Sequence, residues 1–279
     1  MSIALALFAM LLLGSTHFIN GLLSRHYPAL NIGLFTHLGG AFVALPGAMM
    51  LATWAPGVWT WGALAGIGSA LGALLLYRSL SQAAFALVVP VSSVAMVVIA
   101  LALSLLFLDE RPGKWVWFGV MVALPAIWLT AGGRTPKAMH GTCKNHSGLW
   151  LGLGAGAGFA LQLFALAQVP DPAAEYGIAV CMLAGAALLL PFYRRTQPAS
   201  RQHPLFATAA GGISALGLTL YALSREGQLA MISILIVSLY PLIPVILGSM
   251  VRQEPIGGYA KLGIALSMMA MMLVTVGSD

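Results

Sequence analysis

Apolar residues arrive in long blocks separated by short polar breaks, at about 2–23, 30–53, 58–79, 83–108, 114–131, 148–168, 173–193, 204–223, 228–250 and 257–276. Each block approaches the roughly 20 residues that cross a hydrocarbon core as a helix. Lipid offers the backbone no hydrogen bonds, so only helices and closed barrels can span it. Blocks this long, and this rich in Leu, Ala and Met, exceed a barrel strand of about 9–11 residues. The pattern predicts an all-α membrane protein of ten transmembrane helices. The first block lacks a basic lead-in and a small-residue cleavage site, so it reads as a span and not as a signal peptide.

Composition agrees and adds an orientation. Of 279 residues, 60% are hydrophobic and 7% charged, against about 45–50% and 25% in soluble domains. A water-soluble globule is excluded. The formal charge of +6 suggests no nucleic-acid partner, because such an excess in a membrane protein sits in cytoplasmic loops. Alternate loops hold Arg25, Arg78, Arg134, Lys137, Lys144, Arg194, Arg195, Arg201, Arg252 and Lys261 on one side, but Arg111, Lys114 and Arg225 on the other. The positive-inside rule then places both termini outside. Cys143 lies in a loop and Cys181 inside a span, which gives no disulfide framework.

A repeat appears at an offset of 144 residues. Gly14 matches Gly158, Leu45 Leu189, Gly68 Gly212, Tyr77 Tyr221, Glu110 Glu254, Gly119 Gly263 and Leu129 Leu273. With one residue of slippage, Ser69-Ala-Leu-Gly72 also matches Ser214-Ala-Leu-Gly217. Five helices per half is an odd number, so the second half is expected upside down relative to the first. Such inverted repeats are an architecture of secondary transporters, with the substrate near the midplane between halves. The expected organisation is a first repeat at 1–131, a polar linker at 132–147 and a second repeat at 148–279, around a central cavity. Duplication within one chain makes an obligatory dimer unnecessary.

The run Leu76-Tyr-Arg-Ser-Leu-Ser-Gln-Ala, followed by a Pro-containing span and Phe107-Leu-Asp-Glu-Arg-Pro112, resembles the repeat of EamA-type transporters in the drug/metabolite transporter superfamily. The second copy runs from Leu220-Tyr-Ala-Leu-Ser-Arg-Glu-Gly to Gln253-Glu-Pro255. It keeps the Tyr, the Pro and the Glu but lacks the Arg after that Glu. Within the superfamily the chain is similar to bacterial ten-helix exporters, above all those of aromatic amino acids. The resemblance implies a multi-pass protein of the bacterial inner membrane that exports small neutral metabolites by alternating access. Multidrug or other metabolite export is the alternative within the same superfamily. It also implies cytoplasmic termini, against the charge count.

Polar residues inside spans are costly and are functional candidates by default. His17 and Asn20 share a face of the first helix, His37 lies in the second, and Gln162 lies in the sixth, the repeat partner of the first. Tyr77 and Tyr221 recur near the ends of the third and eighth helices, where a ring with a hydroxyl can stack on an aromatic substrate; an interfacial belt is the other reading for Tyr77. Ser92 and Ser93 follow Pro90 in the fourth block, and Ser238 and Tyr240 precede Pro241 and Pro244 in the ninth. His17, Asn20, His37, Tyr77, Ser92, Gln162, Tyr221 and Ser238 are the candidate substrate contacts. Interhelical hydrogen bonding explains the same residue types without a ligand. Trp54, Trp59, Trp61, Trp115, Trp117 and Trp150 cluster at span ends and read as belt residues.

Asp109, Glu110, Asp171, Glu175, Glu226, Glu254 and Asp279 fall in loops or at span ends. With no carboxylate mid-span, the expected substrate is net-neutral, such as a zwitterionic amino acid, and carboxylate-based drug/proton exchange is not expected. A histidine relay remains open, since His titrates near neutral pH. No cofactor is expected. His140-Gly-Thr-Cys143-Lys-Asn-His146 offers three ligands where structural zinc takes four, so no metal site is expected. Gly66-Ile-Gly-Ser69, with a histidine, admits an intramembrane serine enzyme, but its recurrence as Gly211-Gly-Ile-Ser214 fits small-residue packing. An ion channel lacks a filter motif here.

Overall fold

The computed structural model describes residues 2–81, 85–107, 113–130, 147–193, 195, 202–226, 230–240, 243, 244, 247 and 257–276. Residues 132–146 of the expected linker, and with them Cys143 and the His140–His146 segment, lie outside these residues, as do Asp109, Glu110, Arg252 and Glu254; Ser147, expected in the linker, begins the sixth helix. The described helices are α1 (Ser2–Leu23), α2 (Ala29–Leu51), α3 (Val58–Leu80), α4 (Phe85–Phe107), α5 (Lys114–Thr130), α6 (Ser147–Ala167), α7 (Ala174–Leu189), α8 (Gln202–Ser224), α9 (Ala230–Val237) and α10 (Gly258–Val276). Among the described residues, six stretches are long and apolar enough to cross a membrane: Ser2–Leu23, Ala29–Leu51, Val58–Leu80, Trp150–Ala167, Asp171–Phe192 and Gln202–Ser224. Their outer surface fits lipid: Phe42 is 81% and Met50 82% exposed, which would be a liability in water. The chain is a multi-pass helical membrane protein.

Local chemistry sets the helix ends. Pro28 precedes α2 at φ −57°, close to the angle its ring imposes. Gly57 precedes α3 at φ +87°, a conformation glycine adopts without steric cost. Short 3-10 turns at Asp171–Ala173 and Leu190–Phe192 flank α7, and each carries a proline. Pro46 and Pro125 sit inside α2 and α5, which spans tolerate because neighbouring groups re-satisfy the freed backbone. The block at 228–250 departs from expectation. Its helix α9 stops at Val237 and is followed by a turn at 238–240. Pro241 has no N–H to continue the ladder and disfavours helix in the residue before it.

The helices pair across the two halves of the chain. α3 packs on α6 and α8 on α1; α2 packs on α8 and α3 on α7; α4 packs on α6 and α1 on α9. α2 also meets α7, and α5 meets α10. Two of these crossings bring backbones together at positions that correspond at an offset of 145 residues. A side chain at Gly66 would strike the Cys181 carbonyl and come within 2.9 Å of the Gly185 nitrogen. One at Gly211 would strike the Thr36 carbonyl and come within 2.9 Å of the Gly40 nitrogen. Close approach of this kind compensates for the absent hydrophobic drive between helices in lipid.

The alternating glycines of α6 serve two interfaces. Gly152 and Gly156 face Val91 and Ser92 of α4, whereas Gly154 and Gly158 face Leu75 and Gly68 of α3. Residues two apart on a helix point to opposite sides, so four alternating glycines make two interfaces. Among the tryptophans, Trp54, Trp59, Trp115, Trp117 and Trp150 are exposed. Trp61 instead turns inward and meets Phe164 edge-on at 6.3 Å.

Candidate functional site

α1, α2, α3, α4, α6, α7, α8 and α9 converge on one internal cavity of about 40 Å³, room for a few waters. His17, His37, Tyr77 and Gln162 line it, with Thr36, Ser69, Met96, Phe159, Met182, Ser214 and Tyr240. Among the described residues, no Asp, Glu, Lys or Arg is in its lining.

His17 sits within a set of rings. Its centroid is 4.8 Å from Phe159 of α6, 5.1 Å from Tyr240 after α9 and 6.2 Å from Tyr77 of α3. Such spacing is that of offset or tilted aromatic pairs. The Tyr77 hydroxyl lies 3.4 Å from His17 Nδ1 and accepts from Asn20 Nδ2 at 3.0 Å. Asn20 Nδ2 also donates to Thr36 Oγ1 at 2.9 Å. Asn20 thus stands one hydrogen bond behind the cavity wall and ties α1 to α2 and α3. Its Oδ1 is buried without a partner among the described residues, where an acceptor is normally satisfied.

His37 Nδ1 donates to the Gly33 carbonyl at 2.7 Å, so its Nε2 is the nitrogen that accepts from Ser69 Oγ at 3.1 Å in the neutral ring. Its ring lies against Gly185, where any side chain would collide with it. Gly40 makes the same room for Met182, the residue 145 positions after His37. Ser69 and His37 have a spacing that a serine nucleophile and its base would need. Both lie inside helices, however, where the backbone N–H groups are held in the helix ladder and give no oxyanion donors.

The remaining candidates take other places. Ser92 donates to the Val89 carbonyl at 2.9 Å and meets the Tyr240 hydroxyl at 2.7 Å, so it holds a lining ring without lining the cavity. Ser238 donates to the Leu235 carbonyl at 2.7 Å, and Tyr221 to the Leu163 carbonyl at 2.9 Å; neither lines the cavity. Gln162 Nε2 lies 3.9 Å from the Cys181 sulfur, a weak contact. Glu175, in the first turn of α7, accepts from Thr219 of α8 at 3.1 Å.

Sequence reasoning named Tyr240 only as a neighbour of Pro241, and passed over Thr36 and Phe159. A buried hydroxyl or ring inside an apolar block carries no linear mark of which neighbour it faces.

The apolar helices make this a multi-pass membrane protein, with a ring-lined cavity where eight of them meet. Residues 1–132 match the model of the EamA-like transporter family, which supports a place in the drug/metabolite transporter superfamily. No curated protein matches the chain. Among solved structures 28 chains match. One, described only as "Crystal structure of protein", has a TM-score of 0.72 at 16% identity, covering 99% of this chain and 97% of its own. At that identity the likeness is one of fold.

Proposed function

We propose that the protein is a secondary transporter of the bacterial inner membrane that exports small, net-neutral metabolites with a ring or other apolar body, aromatic and other neutral amino acids first among them. The observation that carries this reading is the cavity wall. Rings of His17, Tyr77, Phe159 and Tyr240 offer stacking, while among the described residues no charged side chain stands ready to neutralise a net charge on the solute. Asn20 Oδ1, buried and without a partner among the described residues, suits an N–H donor brought by the solute after a small shift of α1.

The architecture proposed is two inverted repeats of five spans, working by alternating access about this cavity. The reciprocal packing of the halves supports it: each contact of α1, α2 and α3 with the second half has a counterpart in which the halves exchange roles. The turn after α9 also places a broken helix beside the cavity, where irregular backbone is tolerated in transporters. Export of other metabolites or drugs uses the same wall and differs only in the solute. The Ser69–His37 contact is the one feature that favours an intramembrane enzyme, and the missing oxyanion donors weigh against it.

Counterflow in liposomes tests the proposal. Labelled phenylalanine should accumulate in protein-containing vesicles preloaded with unlabelled phenylalanine. Unlabelled threonine should compete better than lysine or glutamate. Uptake equal to that of empty vesicles for every amino acid would remove the substrate class, and equal competition by lysine and glutamate would remove the neutral-solute rule.

A further inference from the structure

The central cavity is lined by matching positions of the two halves that carry unlike side chains. His17 and Gln162, His37 and Met182, and Ser69 and Ser214 each stand 145 residues apart, and all of them line it. The match extends to packing where α2 crosses α7. His37 packs over Gly185 and Met182 over Gly40, and these two glycines stand at the same offset. Each helix seats its long side chain on the other's glycine.

Polar chemistry is divided unevenly between these matching positions. Asn20, Thr36 and His37 of the first half correspond at that offset to Ala165, Cys181 and Met182 of the second. Asn20 donates to Thr36, the neighbour of His37 in α2, so these groups form one polar side. Gln162 is the exception, a polar group on the second half. His37 also fixes the role of Ser69. Its Nδ1 donates to the Gly33 carbonyl at 2.7 Å, so in the neutral ring Nε2 takes the Ser69 hydrogen at 3.1 Å. The Ser69 oxygen keeps lone pairs for an N–H in the cavity it lines, and a hydroxyl that already donates is the better acceptor. Met182, at the place matching His37, offers an apolar and polarisable thioether, which makes favourable contacts with aromatic rings.

We infer that His37 and Met182 fix which way round the solute lies: an amino or other N–H group rests on Ser69, held as an acceptor by His37, and the ring rests on Met182. This orientation rests on the cavity being the solute site proposed above. His37 is a positioning residue, because its two ring nitrogens are engaged by Gly33 and Ser69. The matched geometry has a consequence: exchanging residues 37 and 182 should turn the solute around. An imidazole at 182 has the Ile178 carbonyl four residues back in α7, as His37 has Gly33 in α2. It also has Ser214 at the place matching Ser69.

Counterflow of labelled phenylalanine, measured with full-length protein in liposomes, tests the orientation through two competitors. One is phenylalanine; the other is its N,N,N-trimethyl derivative, which keeps the ring and the net charge but has no N–H. Wild type should prefer phenylalanine. Ser69→Ala should weaken phenylalanine by roughly two- to fivefold, the worth of one net hydrogen bond, and leave the derivative where it was, so the preference shrinks. Ser214→Ala should move both competitors by the same factor and keep the preference. In the exchanged protein, His37→Met with Met182→His, the roles cross: Ser214→Ala should shrink the preference and Ser69→Ala should keep it. Thermal melting of each preparation tells a lost site from a lost fold, and the two serine variants of the wild type decide the matter even where the exchanged protein does not fold. An equal effect of both serines, or a preference that still follows Ser69 after the exchange, would overturn the orientation and leave the transporter reading standing. Failure of folded wild-type protein to carry phenylalanine would overturn the substrate reading and the orientation with it.

Discussion

Tyr77 and Tyr221 stand at matching places in the last turns of α3 and α8, yet their hydroxyls do different things. Tyr77 meets Asn20 at 3.0 Å and His17 at 3.4 Å on the cavity wall, whereas Tyr221 donates to the Leu163 carbonyl within its own half. Both rings are buried, at 1% and 0% exposure, so neither belongs to an interfacial belt. The same ring stands in both helices, and the helix facing each one decided its use.

That difference makes a paired prediction. Tyr77→Phe removes a hydroxyl from the cavity network and should raise the half-saturating concentration of a transported ring-bearing solute by roughly two- to tenfold, the effect of one net hydrogen bond. Tyr221→Phe should lower stability by about 1 kcal/mol with affinity unchanged. Solute affinity measured by counterflow, beside thermal melting of the same preparations, separates the two; equal affinity loss in both variants would place Tyr221 at the solute as well.

The backbone crossings should resist even one added methyl. Gly66→Ala meets the Cys181 carbonyl and Gly211→Ala the Thr36 carbonyl, and backbone atoms cannot turn aside as a side-chain tip does. Each change should cost about 1–3 kcal/mol, as overpacking does. Gly257, with nothing within 4 Å of an added Cβ, should accept alanine without loss. Melting temperatures that rank these three variants together would refute the packing account.

Arg225, after the end of α8, pairs with Asp171 at 3.5 Å, and this closure should depend on the arginine more than on its acid. Asp171 is 57% exposed, so its screened pairing is worth no more than about 1 kcal/mol. Arg225 also holds the Ala167 carbonyl and the Tyr221 ring. Arg225→Ala should therefore cost about 2–3 kcal/mol and Asp171→Asn less than about 1 kcal/mol. Raising salt should narrow the difference between wild type and Asp171→Asn. A larger loss for the aspartate change would show that the pair is more shielded than its exposure implies.

Ser69→Ala distinguishes a carrier from an enzyme. It deletes the 3.1 Å contact with His37 and leaves the Gly33 bond that orients the ring. A carrier should lose about 1 kcal/mol of stability and keep counterflow within a few-fold. An enzyme using Ser69 as nucleophile would lose turnover almost entirely.

Much of the architecture is written in the chain itself. Lipid forces each apolar block to satisfy its own backbone, so block edges alone locate helix ends: α1 spans Ser2–Leu23, as its hydropathy predicts, and α3 begins at Val58 behind Gly57. Composition likewise determined that no charged cluster would lie deep in the bundle. At 228–250 hydropathy runs on unbroken across the turn at 238–240, which is why α9 ends earlier than its block. The site was legible only in part. His17, His37 and Gln162 could be named because a polar side chain in an apolar block stands out. Tyr240 and Phe159 could not, since a ring in such a block looks the same whether it faces lipid, a neighbouring helix or a cavity. That choice depends on the rotation of each helix against the next. Contacts such as Gly66 on Cys181 and Gly211 on Thr36 fix those rotations between residues more than 100 positions apart, and only the folded structure brings them together.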